Sequence, residues 1–183
     1  MADEHQRRLR EKLLRMPLVA PPSPWKRVAA HAVGGLTEIG FATDSDLLLV
    51  LSSNGRGVFD CNSGERVARN YDENWDDLDE TRLISTGIGP LSEMRIRLAG
   101  LHGGGLPTTT DDGWSLDILA LDWPRHSMFL NAPYKSLFHD DGHSCKIAED
   151  GVTGFRAAGF SDTGKSFVFA TSSDLEIYAR TRA

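Results

Sequence analysis

"GFATDSDLLLVLSSNGRGVFD", residues 40–60, is followed 119 residues later by "GFSDTGKSFVFATSSDLEIYA", residues 159–179. The two phrases align without a gap: Gly40-Phe41 falls on Gly159-Phe160, Leu48, Leu49 and Val50 on Phe167, Val168 and Phe169, and Val58-Phe59 on Ile177-Tyr178. Each phrase reads as strand, turn, strand, turn, strand. Apolar β-rich runs are bounded by Asp, Ser, Asn and Gly, residues that tolerate the backbone angles of tight turns. Asn54-Gly55 is the strongest hairpin signal, because both residues accept positive φ.

Outside the repeat the same punctuation continues. Turn signals recur from Gly34-Gly35 onward, and no window after Trp25 sustains a helical period. A second alignment, at an offset of 80, puts Ile39 on Leu119, Phe41 on Leu121 and residues 48–50 on residues 128–130, with "DWPRHS" as the turn. Offsets of 80 and 119 are two and three steps of about 40 residues, the period of four-stranded propeller blades. The missing step offers "TRLISTG" and "EMRIRLAG" as short strands.

Residues 25–69 resemble a WD40-type blade preceded by the outer strand of its neighbour, and residues 155–180 are similar to the same unit without its fourth strand. The tryptophan–aspartate pair that names the family is reduced here to Phe59-Asp60 and Tyr178-Ala179. The resemblance implies an all-β fold, a small β-propeller of about four four-stranded blades. The last unit stops at Arg180 with an edge open to pairing. Residues 26–30 form an orphan strand ahead of the first unit. If that strand completes the last blade, the N- and C-termini close the ring. The alternative is a two-sheet β-sandwich in which the first and last units pair.

Before this domain (25–183) lies a separate piece, residues 1–24. Leu9, Leu13, Leu14 and Met16 give residues 3–16 a partial apolar stripe among arginines and lysines, so a short N-terminal helix is expected. Pro17 ends it, and "PLVAPPSP" follows as a stiff linker. The chain of 183 residues, 40% hydrophobic and 25% charged, is the size and composition of one globular domain. Two cysteines and no secretory or membrane-spanning apolar run point to a cytoplasmic protein. A net charge of −6 argues against nucleic-acid binding, which favours a basic face.

Three stretches carry residue types suited to chemistry or binding. In "FHDDGHSC", residues 138–145, His139, Asp140, Asp141, His143 and Cys145 are metal-capable types, and His139 and His143 are four apart. On a turn that spacing has no fixed geometry, so a structural turn is expected, with a metal-assisted hydrolase built on His139, Asp141 and His143 as the enzymatic rival. "LHGGGLPTTT", residues 101–110, lacks the Gly-Lys-Ser/Thr of a phosphate loop. No Gly-x-Ser-x-Gly elbow is present, and Cys61 reads as a packing residue. No catalytic residue, cofactor or metal is therefore assigned.

The favoured stretch is "NYDENWDDLDET", residues 70–81. It gathers Asp72, Glu73, Asp76, Asp77, Asp79 and Glu80 around Tyr71 and Trp75. As a calcium loop it fails, with Asp77 where glycine is needed and Leu83 where glutamate is needed. Carboxylates at that density repel one another, and a basic protein surface would relieve them and be steered by them. An aromatic group in a charged rim has hot-spot composition. The expectation is a non-catalytic protein-binding module. Its concrete form would be a bacterial immunity protein or antitoxin that neutralises a basic toxin such as a nuclease. A scaffold subunit, docking elsewhere through its basic helix, is the alternative.

Overall fold

In the computed structural model, which describes residues 2–72, 78–138, 142–151 and 154–181, the quoted stretch forms three strands of one antiparallel sheet. Helix α1 (Ala2–Arg15) comes first, and all the longer elements that follow are strands. Sheet I contains β2 (Leu36–Phe41), β3 (Leu47–Ser52), β4 (Gly55–Asp60) and β5 (Glu65–Asn70) in sequence order, with the two-residue β8 (Ala99–Gly100) added beside β2. Sheet II is the pair β6 (Ile84–Thr86) and β7 (Arg95–Arg97), and sheet III is the meander β9 (Ser115–Asp122), β10 (Arg125–Asn131) and β11 (Ser144–Glu149). Sheet IV contains β12 (Phe155–Phe160), β13 (Ser166–Thr171) and β14 (Asp174–Arg180), with β1 (Trp25–Ala32) as its outer strand. Among the described residues, the strands fall into four sheets.

The repeat holds in register, residue by residue. Gly40 lies opposite Leu49 and Leu48 opposite Phe59; the equivalent Gly159 lies opposite Val168 and Phe167 opposite Tyr178. The first ladder of each sheet shifts register at the same place, between Leu36 and Glu38 and between Phe155 and Ala157. The strand expected to complete the last unit does so: Lys26 pairs with Ala179, Arg27 with Tyr178 and Ala30 with Glu176. It matches β5 down to its bulge. Phe59 faces Arg66 and Val58 faces Ala68; Tyr178 faces Arg27 and Ile177 faces Ala29. A bulge inserts one unpaired residue and sharpens the local twist, so both sheets turn alike at their outer edges.

Two expectations are corrected. The turn after β3 has Ser53 and Asn54 at its centre, since Ser52 pairs with Gly55, and only Gly55 takes positive φ, at 102°. The alignment at offset 80 slips by three residues: it would place Ala120 opposite Phe129, but Asp117 lies there. The cause is loop length. Asp122 pairs with Arg125 across a tight two-residue turn at Trp123-Pro124, whereas the corresponding connection in sheet I runs from Phe41 to Leu48, and loop length fixes hairpin register. The linker 17–24 is laid along sheet III. Leu18 makes a parallel bridge with Lys146, and the Val19 N–H donates to the Lys146 carbonyl at 3.0 Å, which covers the outer edge of β11.

Shared cores order the sheets. Ile39, Leu48, Val50 and Phe59 of sheet I pack with Val168, Ala170, Leu175 and Ile177 of sheet IV. On its other face sheet IV packs Phe160, Phe167 and Tyr178 with Met128, Leu130 and Ile147 of sheet III. Sheet I turns Leu49, Leu51 and Val58 towards Ile88, Leu91 and Ile96 around sheet II. The expected stripe of α1 is used against sheet III, where Leu9, Leu13 and Met16 cover Phe129, Leu137, Leu119 and Leu121. Trp25, 2% exposed, locks β1 in place against Trp114, Phe160 and Phe167.

Gly40 and Gly159 are matched in function as well as in position. A Cβ on Gly40 would lie 2.2 Å from the Arg97 carbonyl oxygen; one on Gly159 would lie 2.3 Å from Leu106 Cβ and 2.7 Å from the Pro107 carbonyl oxygen. In both units the missing side chain lets a neighbouring segment cross close to the innermost repeat strand. Those crossing segments, 95–97 and 105–107, build the site described next.

Among the described residues, no helix is long and apolar enough to cross a membrane.

Candidate functional site

The acidic segment leaves the end of β5 and returns at the start of sheet II. At its entry the Asn70 side-chain oxygen accepts from the Asp72 N–H at 2.7 Å, an Asx turn. Tyr71 is 72% exposed, with the Arg69 guanidinium 4.7 Å from its ring centre. Arg69 also donates to the Asn54 carbonyl at 2.8 Å, which fixes that cation over the ring. Glu73, Trp75, Asp76 and Asp77 lie outside the described residues. At the exit, Asp79 exchanges two backbone hydrogen bonds with Ile84, at 2.8 and 3.1 Å. Its carboxylate accepts from the Arg82 N–H at 2.9 Å and meets the Arg82 guanidinium at 3.3 Å. The Arg82 backbone N–H is the largest cause that holds the Asp79 carboxyl below its ordinary range. Asp79 therefore serves its own turn, while Tyr71, Asp72 and Glu80 are exposed.

Of the histidine-rich stretch, His139, Asp140 and Asp141 lie outside the described residues, and His143 stands just before β11, its carbonyl accepting from the Ala132 N–H at 2.9 Å. Cys145 is turned to the core, its thiol 3.7 Å from the Leu130 carbonyl and raised by burial. Cys61 is fully buried, and its thiol is pushed well above the ordinary range by desolvation and by the Asp46 and Asp60 carboxylates. Among the described residues no group of three His, Cys, Asp or Glu side chains could hold a metal ion.

Two histidine–carboxylate pairs were not legible in the sequence. Buried Glu38 on β2 accepts from the His102 N–H at 3.2 Å and lies 2.7 Å from its Nδ1. Buried Asp150 accepts from the His126 N–H at 2.6 Å, and the His126 ring stacks on Phe155. Among the described residues no serine, threonine or cysteine hydrogen-bonds to either imidazole. Their role is to anchor loops. Glu38 fastens "LHGGGLPTTT" to sheet I, which accounts for that stretch without a phosphate.

A concave surface lies where the β2–β3 and β12–β13 turns meet the crossing segments. One cleft of about 670 Å³ is lined by Phe41, Thr43, Ile84, Arg95, Arg97, Gly105, Leu106, Pro107 and Asp162. An adjoining cleft of about 530 Å³ shares Pro107 and Asp162 and runs to Thr110, Asp112 and Arg180. Strand alternation builds the first: Ile96 is buried, so Arg95 and Arg97 on either side of it both face outward. The two clefts differ in charge compensation. Arg180 in the second is held by Asp112 through two contacts of 2.7 Å, and its guanidinium lies 4.6 Å above the Trp25 ring. Asp112 is accordingly held well below the ordinary carboxylate range, first by its hydrogen bond with Arg180. In the first cleft, among the described residues, neither Arg95 nor Arg97 has an acid partner.

No protein-family model matches the chain, and no curated protein is similar enough to count as a relative.

Proposed function

We propose that this chain is a non-catalytic protein-binding module, read as a small WD40-like propeller, whose acidic segment 71–80 receives a basic protein. Support for the propeller reading comes from the matched registers of sheets I and IV and from the pairing of β1 with β14. A fold of this kind specifies no chemistry, so the function rests on the segment itself.

The observation that carries the reading is how that segment is mounted. It leaves β5 and returns to β6, and both described flanks are tied by hydrogen bonds, so the two ends of a segment with six acidic residues are fixed at sheet edges. Tyr71, 72% exposed and positioned by Arg69, stands at its base as an aromatic contact. Pre-positioned aromatic groups lower the ordering cost of association, and the surrounding carboxylates speed encounter with a cationic partner. The overall charge of −6 acts in the same direction. An immunity protein or antitoxin facing the positively charged groove of a nuclease toxin is the concrete form of this activity.

The experiment is gel filtration and calorimetry with an inactivated basic toxin encoded beside the gene. A stable complex is expected, weakened by salt. Trp75→Ala combined with Asp76→Lys and Asp77→Lys should weaken it by about 30-fold or more, the loss of a hot spot of about 2 kcal/mol. Unchanged binding by the triple variant would overturn the assignment. The alternative is a scaffold subunit that docks through the exposed basic face of α1, which the packing of its apolar stripe on sheet III leaves open.

A further inference from the structure

We propose that the cleft between β7 and the 105–107 segment is a binding site for a small organic anion, a phosphate monoester or carboxylate with an apolar body. Arg95 and Arg97 face one side of a three-residue strand, two positions apart, with no acid partner among the described residues. Two like charges side by side on a strand repel each other. In a chain with more acidic than basic residues, two other arginines are matched, Arg180 with Asp112 and Arg82 with Asp79. Guanidinium groups offer forked donors suited to the paired oxygens of a phosphate or carboxylate.

The walls define the rest of the ligand. Phe41, Ile84, Leu106 and Pro107 line the same cleft, and its volume of about 670 Å³ falls in the range of small-molecule pockets, about 300–1,000 Å³. The site is also held rigidly. Ile96, between the two arginines, is 1% exposed in the core, and the Arg97 carbonyl is pressed against Gly40 with no room for a Cβ. Asp162, which lines both this cleft and the adjoining one, opposes an anion and restricts the charged end of the ligand to the arginines. The neighbouring cleft is excluded because its arginine is already bound to a carboxylate.

The site adjoins the exit of the acidic segment, where Asp79 bonds to Ile84, but its test uses different residues. Phenyl phosphate, benzoate, inorganic phosphate and benzyl alcohol would be titrated into the full chain and followed by amide NMR shifts. Phenyl phosphate and benzoate should give saturable shifts around Ile84, residues 95–97 and Leu106, with a dissociation constant on the order of 0.1–1 mM. Inorganic phosphate should bind about fivefold more weakly, and benzyl alcohol should not saturate. Arg95→Gln with Arg97→Gln should weaken phenyl phosphate at least about tenfold, whereas Asp162→Asn should tighten it about two- to threefold, the expected effect of one nearby charge. Retained amide dispersion in the variants excludes unfolding as the cause, since both arginines are exposed. Absence of saturable binding up to about 20 mM, or equal affinity in the double-glutamine variant, would overturn the proposal.

Discussion

Asp46 is the point at which the two repeat units are pinned together, and removing its carboxylate tests that junction. It lies in the β2–β3 turn of sheet I and reaches into the equivalent turn of sheet IV. There its Oδ1 accepts from Ser166 Oγ at 2.6 Å, Ser161 Oγ at 2.7 Å and Thr163 Oγ1 at 2.8 Å. Asp46 is 8% exposed, Ser161 2% and Ser166 0%. In Asp46→Ala, Ser161 can turn to the Ser166 carbonyl at 3.3 Å and to Thr163 at 3.1 Å, but the fully buried Ser166 hydroxyl loses its acceptor. A buried orphan donor costs about 1–3 kcal/mol, and the lost hydrogen bonds to a charged oxygen add about as much again, so about 3–4 kcal/mol is expected. With a urea dependence of about 2–3 kcal/mol per molar, the midpoint should fall by about 1–2 M.

Acid should erase this difference. Burial raises the Asp46 carboxyl, but hydrogen bonds from Ser166, Ser161, Thr163 and Asn62 together outweigh it and leave the pKa lowered. A carboxyl whose pKa is lower folded than unfolded stabilises the fold fully above the unfolded value, about 3.9, and loses that contribution as pH falls through the folded value. The gap between wild type and Asp46→Ala should therefore be constant from about pH 7 to pH 5 and narrow below about pH 4. Urea unfolding followed by tryptophan fluorescence at several pH values measures both effects. A midpoint shift under about 0.2 M at pH 7, or a gap that does not narrow in acid, would refute the pinning role.

The paired glycines give a second test: Gly40→Ala and Gly159→Ala should each cost about 2–3 kcal/mol in urea unfolding, because their Cβ atoms would overlap backbone or Leu106, while Gly34→Ala, with open space around it, should change stability by less than about 0.5 kcal/mol. Cys61 should resist a thiol-reactive reagent at pH 8 in the folded protein and react on unfolding, since it is fully buried and its thiol is raised; labelling within minutes under native conditions would contradict its place in the core.

The repeat was legible in the sequence because a β-unit is written in short-range terms. Alternation sets the faces, and turn residues set the ends. The two phrases therefore share their ladders, and the strand beginning at Trp25 could be assigned to the unfinished sheet by counting strands. The offset of 80 misled because composition does not encode hairpin length, and a two-residue turn moved β9 by three positions. The acidic segment was legible as charge density alone. The arginine cleft was not, although "RIR" marked a strand: a charged residue facing outward is ordinary until the fold shows what stands opposite.

The order of residues, then, determined the strands, their turns, the doubled unit and the helix with its apolar stripe, all consequences of backbone preference and side-chain alternation over a few positions. Only the tertiary structure decided that Asp46 meets three hydroxyls more than a hundred residues away, that β8 joins β2, and that Arg95 and Arg97 line one cleft with Leu106 and Asp162. Those contacts depend on how sheets stack, and stacking follows from the summed shape and burial of whole faces, which local pattern does not contain.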